Sequence, residues 1–422
     1  MRFKEFVLKE NKIPMHIEHL EDLPINDGFD GAQKAVNYLD NLTSMLSGHS
    51  DVAIKVSVKW DGAPGIVCGV DPESGRFFVT LKHNIHKETP VLLFTEKDVR
   101  QHFHDKIDLA DKLVACLRYL PRLGMQGVYQ GDFLYSHNEL ETLTIDDIDY
   151  ITFTPNTITY AVETDTDAAK AIKKSKIGVV LHTRYSGGPQ LNKMIAEVGV
   201  DTSYFKRSED VWLPKTEYKD ASGTASLTIH ETKLLQSKLH MVRDLVDEIG
   251  AEFFNKIQKH PNFKPLMKEF INHSVRVGDA LDDPIDTIGK FDNFQQRKHQ
   301  EEAETLVTDA GRTVKLNKAG EFSRFLGENR HKVQLFMKLH KMLSEIKVKV
   351  LHKMSQIDEI GAFIRTDNGF KVTPGEGFVA IDRVGHLVKL TDRLVFNRAN
   401  FNNVANKSWH RAPKSKFTKK SK

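Results

Sequence analysis

Alternation of apolar and polar residues predicts strands in the first half of the chain and again near its C-terminus. Val56 and Val58 alternate with polar residues before Lys59, and residues 66–68 resume the apolar pattern, which indicates a hairpin with its turn at residues 61–65. Similar alternation predicts further strands at residues 76–82, 127–135, 151–162 and 176–185. The tract at residues 186–189, Ser-Gly-Gly-Pro, is the clearest break in the chain.

Helical spacing of apolar residues dominates elsewhere. An acidic, Pro- and Gly-containing loop is predicted at residues 18–31, followed by a helix at residues 32–46 that we expect to pack behind the functional pocket. One or two amphipathic helices are predicted at residues 97–120. From about residue 228 to residue 360 the chain is rich in Lys, Glu, His, Leu and Phe at helical spacing, so this stretch predicts a largely helical domain.

Length and charge limit the broad class of the protein. The chain has 422 residues, of which 40% are hydrophobic and 28% charged, which allows two or three domains with an ample core. The net charge of +4 does not by itself indicate a nucleic-acid partner. Two cysteines in apolar contexts predict reduced core residues in a cytoplasmic protein, and the sequence shows neither a signal peptide nor a membrane span.

The stretch Lys59-Trp60-Asp61-Gly62 places a lysine at a strand end beside a turn, a match that is weak when taken alone. Several stretches downstream give it context. They are Gly-Asp-Phe around Asp132, Phe-Thr-Pro-Asn-Thr-Ile from Phe153, Glu-Gly-Phe-Val-Ala from Glu376, and a strand-like Leu-Val-Lys-Leu around Lys389.

In this order the stretches resemble the motif series of the covalent nucleotidyltransferases, which are DNA ligases, RNA ligases and mRNA capping enzymes. The resemblance is closest to bacteriophage RNA ligases of the tRNA-repair type. It implies an α+β fold: a nucleotidyltransferase domain of antiparallel sheets flanked by helices, formed by residues 1–190 and 361–405, with a large inserted helical domain at 191–360. A basic tail at 406–422 would follow and could contact phosphate backbones.

The resemblance also implies roles for the residues of the main motifs. Lys59 would be the nucleophile that takes AMP from ATP, provided that Lys389 and a metal ion lower its pKa. Lys389 would be the cation at the α-phosphate, and Glu376 would position Mg²⁺. Asp61 would orient the nucleophile or serve the sealing step, and Gly62 would let the backbone approach the nucleotide closely.

Three further nucleotide-binding residues are implied with departures from the family pattern. Lys82 ends a strand, as does a lysine of the RNA ligases, but His83 follows it in place of the usual glycine. Asp132 stands where the family usually has Glu, so its contact with the ribose would be one methylene shorter. Phe153, or alternatively Tyr160, would lie against the adenine, with core packing as the other interpretation for either ring.

The resemblance therefore implies an ATP-dependent polynucleotide ligase that uses Mg²⁺ and acts in nucleic acid repair, in the host cytoplasm if the protein comes from a bacteriophage. RNA is favoured over DNA because only about thirty residues follow Lys389, too few for the OB-fold barrel that DNA ligases and capping enzymes carry there. The alternatives are a DNA ligase or GTP-using capping enzyme, and a binding or virion-associated protein that has lost catalysis. Asp132, together with Thr391, which replaces a common second lysine, keeps the last alternative open.

Overall fold

A computed structural model of the protein describes residues 17–48, 54–145, 148–214, 227–355, 361–366, 369–372, 376–382 and 387–394. The predicted basic tail lies outside these residues. The strands within them are β1 (Ile54–Val58), β2 (Gly65–Val70), β3 (Phe77–Leu81), β4 (Val128–Ser136), β5 (Glu141–Ile145), β6 (Ile148–Phe153), β7 (Ile158–Glu163), β8 (Ile177–Ser186), β9 (Ile195–Val198), β10 (Val211–Trp212), β11 (Gly361–Thr366), β12 (Gly369–Val372), β13 (Phe378–Asp382) and β14 (Leu387–Leu390).

The helices lie mainly between β10 and β11, and the side chains of Thr228, Asp283 and Thr308 cap the starts of three of them. At the first helix of this region the Thr228 hydroxyl accepts from the Glu231 N–H, and the Glu231 carboxylate accepts from the Thr228 N–H. The helices are α1 (Leu23–Leu46), α2 (Lys82–Ile85), α3 (Glu96–His102), α4 (Ile107–Tyr119), α5 (Asp167–Lys174), α6 (Ile229–Ile249), α7 (Ala251–Lys259), α8 (Phe263–Val277), α9 (Pro284–Glu304), α10 (Asp309–Glu328) and α11 (Arg330–Ser355).

The strands form three sheets, which confirms the expected α+β class with antiparallel sheets. The first sheet has the order β1-β13-β14, and the third has the order β12-β11-β7-β6-β5. The second sheet has the order β10-β8-β4-β2-β3, with β9 on the edge of β8. All the strand pairings described are antiparallel except β10 with β8.

The predicted hairpin around Lys59 is wrong. β1 pairs with β13 of the first sheet, whereas β2 pairs with β3 and β4 of the second sheet. The residues between β1 and β2 therefore cross from one sheet to another. Alternation along a strand indicates its two faces but does not specify its partner, and the partner of β1 lies near the other end of the chain.

Helix α1 and helices α6–α11 pack into one helical body, in which α1 contacts α6, α7, α8 and α11. The predicted loop at residues 18–31 is largely helical, because Pro24 is tolerated in the first turn and the chain bends at Gly28, which has a φ of 61°. We expected α1 to pack behind the functional pocket, but its apolar stripe instead faces the helical body. The first sheet packs on the same core through Val56, Phe378 and Val388.

Residues 191–212, which the sequence suggests are part of the helical domain, instead add β9 and β10 to the second sheet. Val200 and Val211 are buried in the core that this sheet shares with α3 and α4. The run of helices therefore begins only at Ile229 and ends at Ser355. None of the helices in the described part of the chain combines the length and apolar character that a bilayer crossing requires.

Candidate functional site

The segment from Lys59 to Pro64 lies where the three sheets meet. The Lys59 N–H donates to the Gly377 carbonyl beside the first sheet, at 2.9 Å. The Ala63 N–H donates to the Phe133 carbonyl of β4 at 2.9 Å, and the Phe133 N–H donates to the Pro64 carbonyl at 3.0 Å. Hydrogen bonds to two sheets thus fix both ends of the segment.

Asp61 attaches the same segment to the third sheet. Its carboxylate is 3% exposed and accepts from Asn156 Nδ2 at 2.5 Å, from the Thr157 N–H at 2.7 Å and from the Ile158 N–H at 2.9 Å. The Asp61 N–H donates to the Tyr160 hydroxyl at 2.7 Å. Because these bonds occupy the carboxylate, Asp61 anchors the lysine-bearing segment, which fits the expected orienting role.

Lys59 Nζ forms an ion pair with Glu376, which lies two residues before the start of β13. Burial by itself would lower the pKa of Lys59, but Glu376, Asp132 and Asp61 together raise it above the ordinary lysine value. Burial raises the pKa of Glu376 to about 7, against the opposing effect of Lys59. The expectation that Lys389 lowers the pKa of Lys59 is therefore not met in the protein alone, because the carboxylates outweigh burial.

Two more lysines lie around this ion pair. Lys389 is on β14, opposite Val379 in register, and its N–H donates to the Glu18 carbonyl at 2.7 Å. Burial, followed by the charge of Lys59, lowers the pKa of Lys389 to about 8. Lys82 is exposed at the start of α2, and its charge also acts on Lys389. Lys59, Lys82 and Lys389, the three expected cations, thus lie in one region although each belongs to a different part of the fold.

Asp132 borders the lysine-bearing segment from β4. A Cβ added at Gly62 would lie 2.4 Å from the Asp132 Cβ, so only glycine permits this approach. Asp132 is opposite Gly65 in the pairing of β4 with β2, and its Oδ2 lies 3.4 Å from His182 Nε2. The structure therefore brings together Lys59, Asp61, Gly62, Lys82, Asp132, Glu376 and Lys389.

Phe153 does not join this group. It is 1% exposed on β6, and its ring packs against Tyr135 at 4.8 Å and against Tyr160 at 5.4 Å between ring centroids. Tyr160 is also buried and packs on Trp60 at 4.7 Å. Phe153 and Tyr160 therefore both pack in the core, which is the alternative to a position against the adenine that the sequence left open.

His182 belongs to the site but is not singled out by the sequence. The only signal is that three polar residues, 182–184, interrupt the alternation of β8. The structure shows a β-bulge here, since Gln130 pairs with Thr183 whereas Gly131 pairs with Leu181. His182 is the additional residue of this bulge.

A buried charge network, also not predicted, connects β14 with the helical body. Lys347 Nζ of α11 lies 2.7 Å from each carboxylate oxygen of Glu21, and neither side chain is exposed. Arg393 Nη1, four residues after Lys389, donates to both carboxylate oxygens of Asp22 at 2.9 Å. This network fixes the end of β14 relative to the helices.

The chemistry of the donors decides whether the site fits Mg²⁺. The hydrogen bonds already described occupy Asp61, which leaves the Glu376 and Asp132 oxygens as the nearby carboxylate donors. Mg²⁺ commonly binds one or two carboxylates and keeps several waters, so this pair fits it. No group of three or more His, Cys, Asp or Glu side chains suited to a metal ion occurs among the described residues.

Fold and site together define an α+β protein in which lysines and carboxylates lie close together where three sheets meet. The model of a family of unknown function (DUF6267) matches residues 11–405, and the chain belongs to this family. No curated protein and no solved structure matched the chain.

Proposed function

We propose that the protein is an ATP-dependent polynucleotide ligase that acts through a covalent lysyl-AMP intermediate and favours RNA ends. The observation that carries the proposal is the ion pair between Lys59 and Glu376 at the junction of the sheets. Lys59 is the amine, and Asp132, Lys82 and Lys389 surround it with the charges that a nucleotide and its phosphates would meet. The motif resemblance is the second support.

In the first step, Lys59 Nζ attacks the α-phosphorus of ATP. An N–P bond forms, and the bond from the α-phosphorus to the bridging oxygen of pyrophosphate breaks. Attack requires the neutral amine, so one proton passes from Lys59 to solvent beforehand, and a second passes to solvent once the N–P bond forms. Because the carboxylates raise the pKa of Lys59 in the free protein, nucleotide binding has to separate Lys59 from Glu376 before reaction.

The surrounding residues have distinct tasks in this step. Lys389 and Lys82 stabilise negative charge on the phosphates, and Asp61 holds the lysine-bearing segment in place. Glu376 and Asp132 would supply the protein oxygens for Mg²⁺, which when bound neutralises phosphate charge. Gly62 lets Asp132 approach the lysine-bearing segment closely.

In the second step, an oxygen of a polynucleotide 5′-phosphate attacks the phosphorus of lysyl-AMP. The N–P bond breaks, the nitrogen takes a proton from solvent so that Lys59 regains its amine, and AMP is joined to the 5′-phosphate through a pyrophosphate bond. In the third step, a 3′-hydroxyl oxygen attacks the 5′-phosphate, AMP leaves, and the hydroxyl proton passes to solvent. The product is a phosphodiester bond between the two ends.

Two other functions remain as alternatives. A DNA ligase or a GTP-using capping enzyme would use the same lysine chemistry. A protein that has lost catalysis and only binds nucleic acid is favoured by Thr391, which is 2% exposed and provides no second cation after Lys389. A DNA ligase would be labelled by ATP and a capping enzyme by GTP, whereas a protein without catalysis would be labelled by neither nucleotide.

The test is covalent labelling. Protein incubated with Mg²⁺ and ATP carrying a radioactive α-phosphate should retain the label on a denaturing gel, whereas ATP labelled at the γ-phosphate should leave none. A lysyl phosphoramidate is lost in mild acid and survives alkali, so the label should show this behaviour. Labelling by GTP alone would indicate the capping alternative.

Variants then assign the nucleophile. Lys59→Ala and Lys59→Arg should both abolish the label, since neither provides a nucleophilic amine. Lys318→Ala is the matched control, because Lys318 is exposed on α10 within the helical body. Labelling that survives in Lys59→Ala would disprove Lys59 as the nucleophile, and the absence of label in the natural protein would favour the non-catalytic alternative.

A further inference from the structure

Strand β14 turns one face to the helical body and the other face to the candidate site. Val388 and Leu390 are buried in the core that the first sheet shares with the helices. Because side chains alternate along a strand, Lys389 between them points to the opposite face, where the charge of Lys59 acts on it. The position of Lys389 therefore depends on how β14 is held against the helices.

Residues that precede α1 lie along one edge of β14. Lys389 pairs with Val379 of β13 on one side and forms a parallel bridge with His19 on the other side. The Lys389 N–H donates to the Glu18 carbonyl at 2.7 Å. Residues 18 and 19 thus act as a short additional strand, which fixes the backbone of Lys389 from its second side.

Helix α8 of the helical body holds this short strand and the end of β14. Lys268 Nζ lies 3.0 and 3.1 Å from the two carboxylate oxygens of Glu18. Asn272 Oδ1 accepts from Arg393 Nη2 at 2.7 Å. Lys268 and Asn272 are four residues apart, so they are neighbours on one face of α8. Polar contacts from one helix face therefore hold β14 at two places, beside Lys389 and four residues after it.

The apolar side of α8 is fixed in the helical core. Phe263, Phe270 and Ile271 are buried there, and the Phe270 ring packs against Phe291 of α9 at 5.1 Å between ring centroids. A closely packed interior has low compressibility and transmits displacement instead of absorbing it. Helix α8 is therefore a firm support for the two polar contacts that it makes with the β14 region.

We propose that Lys268 and Asn272 are positioning residues for the proposed ligase, through which the helical body holds Lys389 beside Lys59; this inference rests on the proposed function. Both residues act through β14 and residue 18, so they need not touch the nucleotide. A small displacement of a group that meets the transferred phosphate is costly, because the rate depends steeply on its position. The helical body then serves the reaction without supplying a reacting group.

The experiment is a double-mutant cycle on the rate of labelling by ATP that carries a radioactive α-phosphate. Lys268→Ala breaks the contact with Glu18 and should slow labelling by roughly tenfold, since the Asn272 contact remains. Lys389→Ala should slow labelling by about a hundredfold or more. The double variant should lose no more than Lys389→Ala alone, because the effect of Lys268 passes through Lys389.

Three further variants separate positioning from a general loss of structure. Lys268→Arg keeps a cation within reach of Glu18 and should restore most of the labelling rate. Asn272→Ala should slow labelling, and this loss should also disappear when Lys389→Ala is present. Lys318→Ala, a change at an exposed lysine of the helical body, should label as the natural protein does. Chemical denaturation of Lys268→Ala should be nearly unchanged, because its ion pair is partly exposed.

The outcomes distinguish this inference from the proposed function. If the losses of Lys268→Ala and Lys389→Ala multiply in the double variant, Lys268 does not act through Lys389 and the inference is wrong. An unchanged labelling rate in both Lys268→Ala and Asn272→Ala would also overturn it. In either case the ligase proposal stands, whereas the two fail together if ATP does not label the natural protein.

Discussion

Glu376 holds the side-chain amine of Lys59 in an ion pair, although the whole helical run from Ile229 to Ser355 separates the two residues in the chain. The pair has two opposing effects on the proposed chemistry. Glu376 favours the protonated and therefore unreactive form of Lys59, yet its carboxylate is also the expected ligand of Mg²⁺. These two effects can be measured separately.

The first prediction concerns Glu376→Gln. Removing the carboxylate charge lowers the pKa of Lys59, so Lys59 should react faster with an amine-selective acylating reagent at pH 8, as measured by peptide mass spectrometry. Labelling by ATP should nevertheless fall by about a hundredfold or more, the scale expected when one electrostatic contact to a transition state is lost.

Lys318 serves as the internal control in the same digest, since its acylation should not change. An unchanged reactivity of Lys59 would show that the ion pair does not control its protonation. Near-normal labelling would show that Glu376 is not required for the chemistry.

The second prediction is that phosphate binding depends on the charge of Lys389. Because burial lowers its pKa to about 8, Lys389 is cationic below that pH and neutral above it. The affinity for α,β-methylene-ATP, which cannot transfer AMP, should therefore weaken by up to about tenfold between pH 7.5 and pH 9. Calorimetric titration at constant ionic strength measures this change.

Lys389→Arg provides the matched comparison, because a guanidinium remains charged throughout this pH range. Its affinity should stay nearly constant, while Lys389→Ala should bind weakly at every pH and lose about a hundredfold or more in labelling. The same decline in Lys389→Arg as in the natural protein would assign the pH dependence to another group.

The third prediction is that sealing favours RNA over nicked duplex DNA. The accessory body that accompanies the sheets is helical, and the described residues contain no additional barrel to close around a duplex. Joining of a 5′-phosphorylated stem-loop RNA should therefore be faster than joining of a nicked DNA duplex of matched length, at equal salt concentration. Faster sealing of the DNA nick would support the DNA-ligase alternative and leave the lysine chemistry intact.

The fourth prediction concerns the fully buried pair of Lys347 and Glu21. Lys347→Met should lower the free energy of unfolding by about 3–5 kcal/mol, because it leaves the Glu21 carboxylate buried without its main partner. Glu21→Leu combined with Lys347→Met should recover much of this loss, since an apolar pair needs no counter-charge. Chemical denaturation of the natural protein, the single variant and the double variant measures these free energies of unfolding, with Lys318→Ala as a surface control. Equal losses in the single and double variants would contradict the prediction.

Local patterns in the sequence predict several elements well. The stretches at 127–135 and 176–185 correspond to β4 and β8 to within one residue at either end, because a period of two reports the faces of a strand directly. What local patterns lack is the identity of distant partners. The pattern before Lys59 predicts a hairpin with the next strand, whereas β1 pairs with β13.

The same limit applies to charged residues. Glu21 and Asp22 look like part of a solvated acidic loop, but their cationic partners, Lys347 and Arg393, come from the far end of the chain. The position of His182 is unpredictable for a different reason, because it depends on one additional residue in the pairing of β8 with β4. A bulge of this kind becomes visible only when both strands are aligned in space.

The joining of α1 to the helical body has a consequence for synthesis on the ribosome. At about 5–20 residues per second, the apolar stripe of α1 would wait roughly ten to forty seconds before α6 emerges. Strand β1 waits longer still, since its partner β13 follows the whole helical run in the chain. A nascent or prematurely terminated chain that ends before residue 376 therefore contains Lys59 but lacks Glu376 and Lys389, so the candidate site can form only after these two residues have been made.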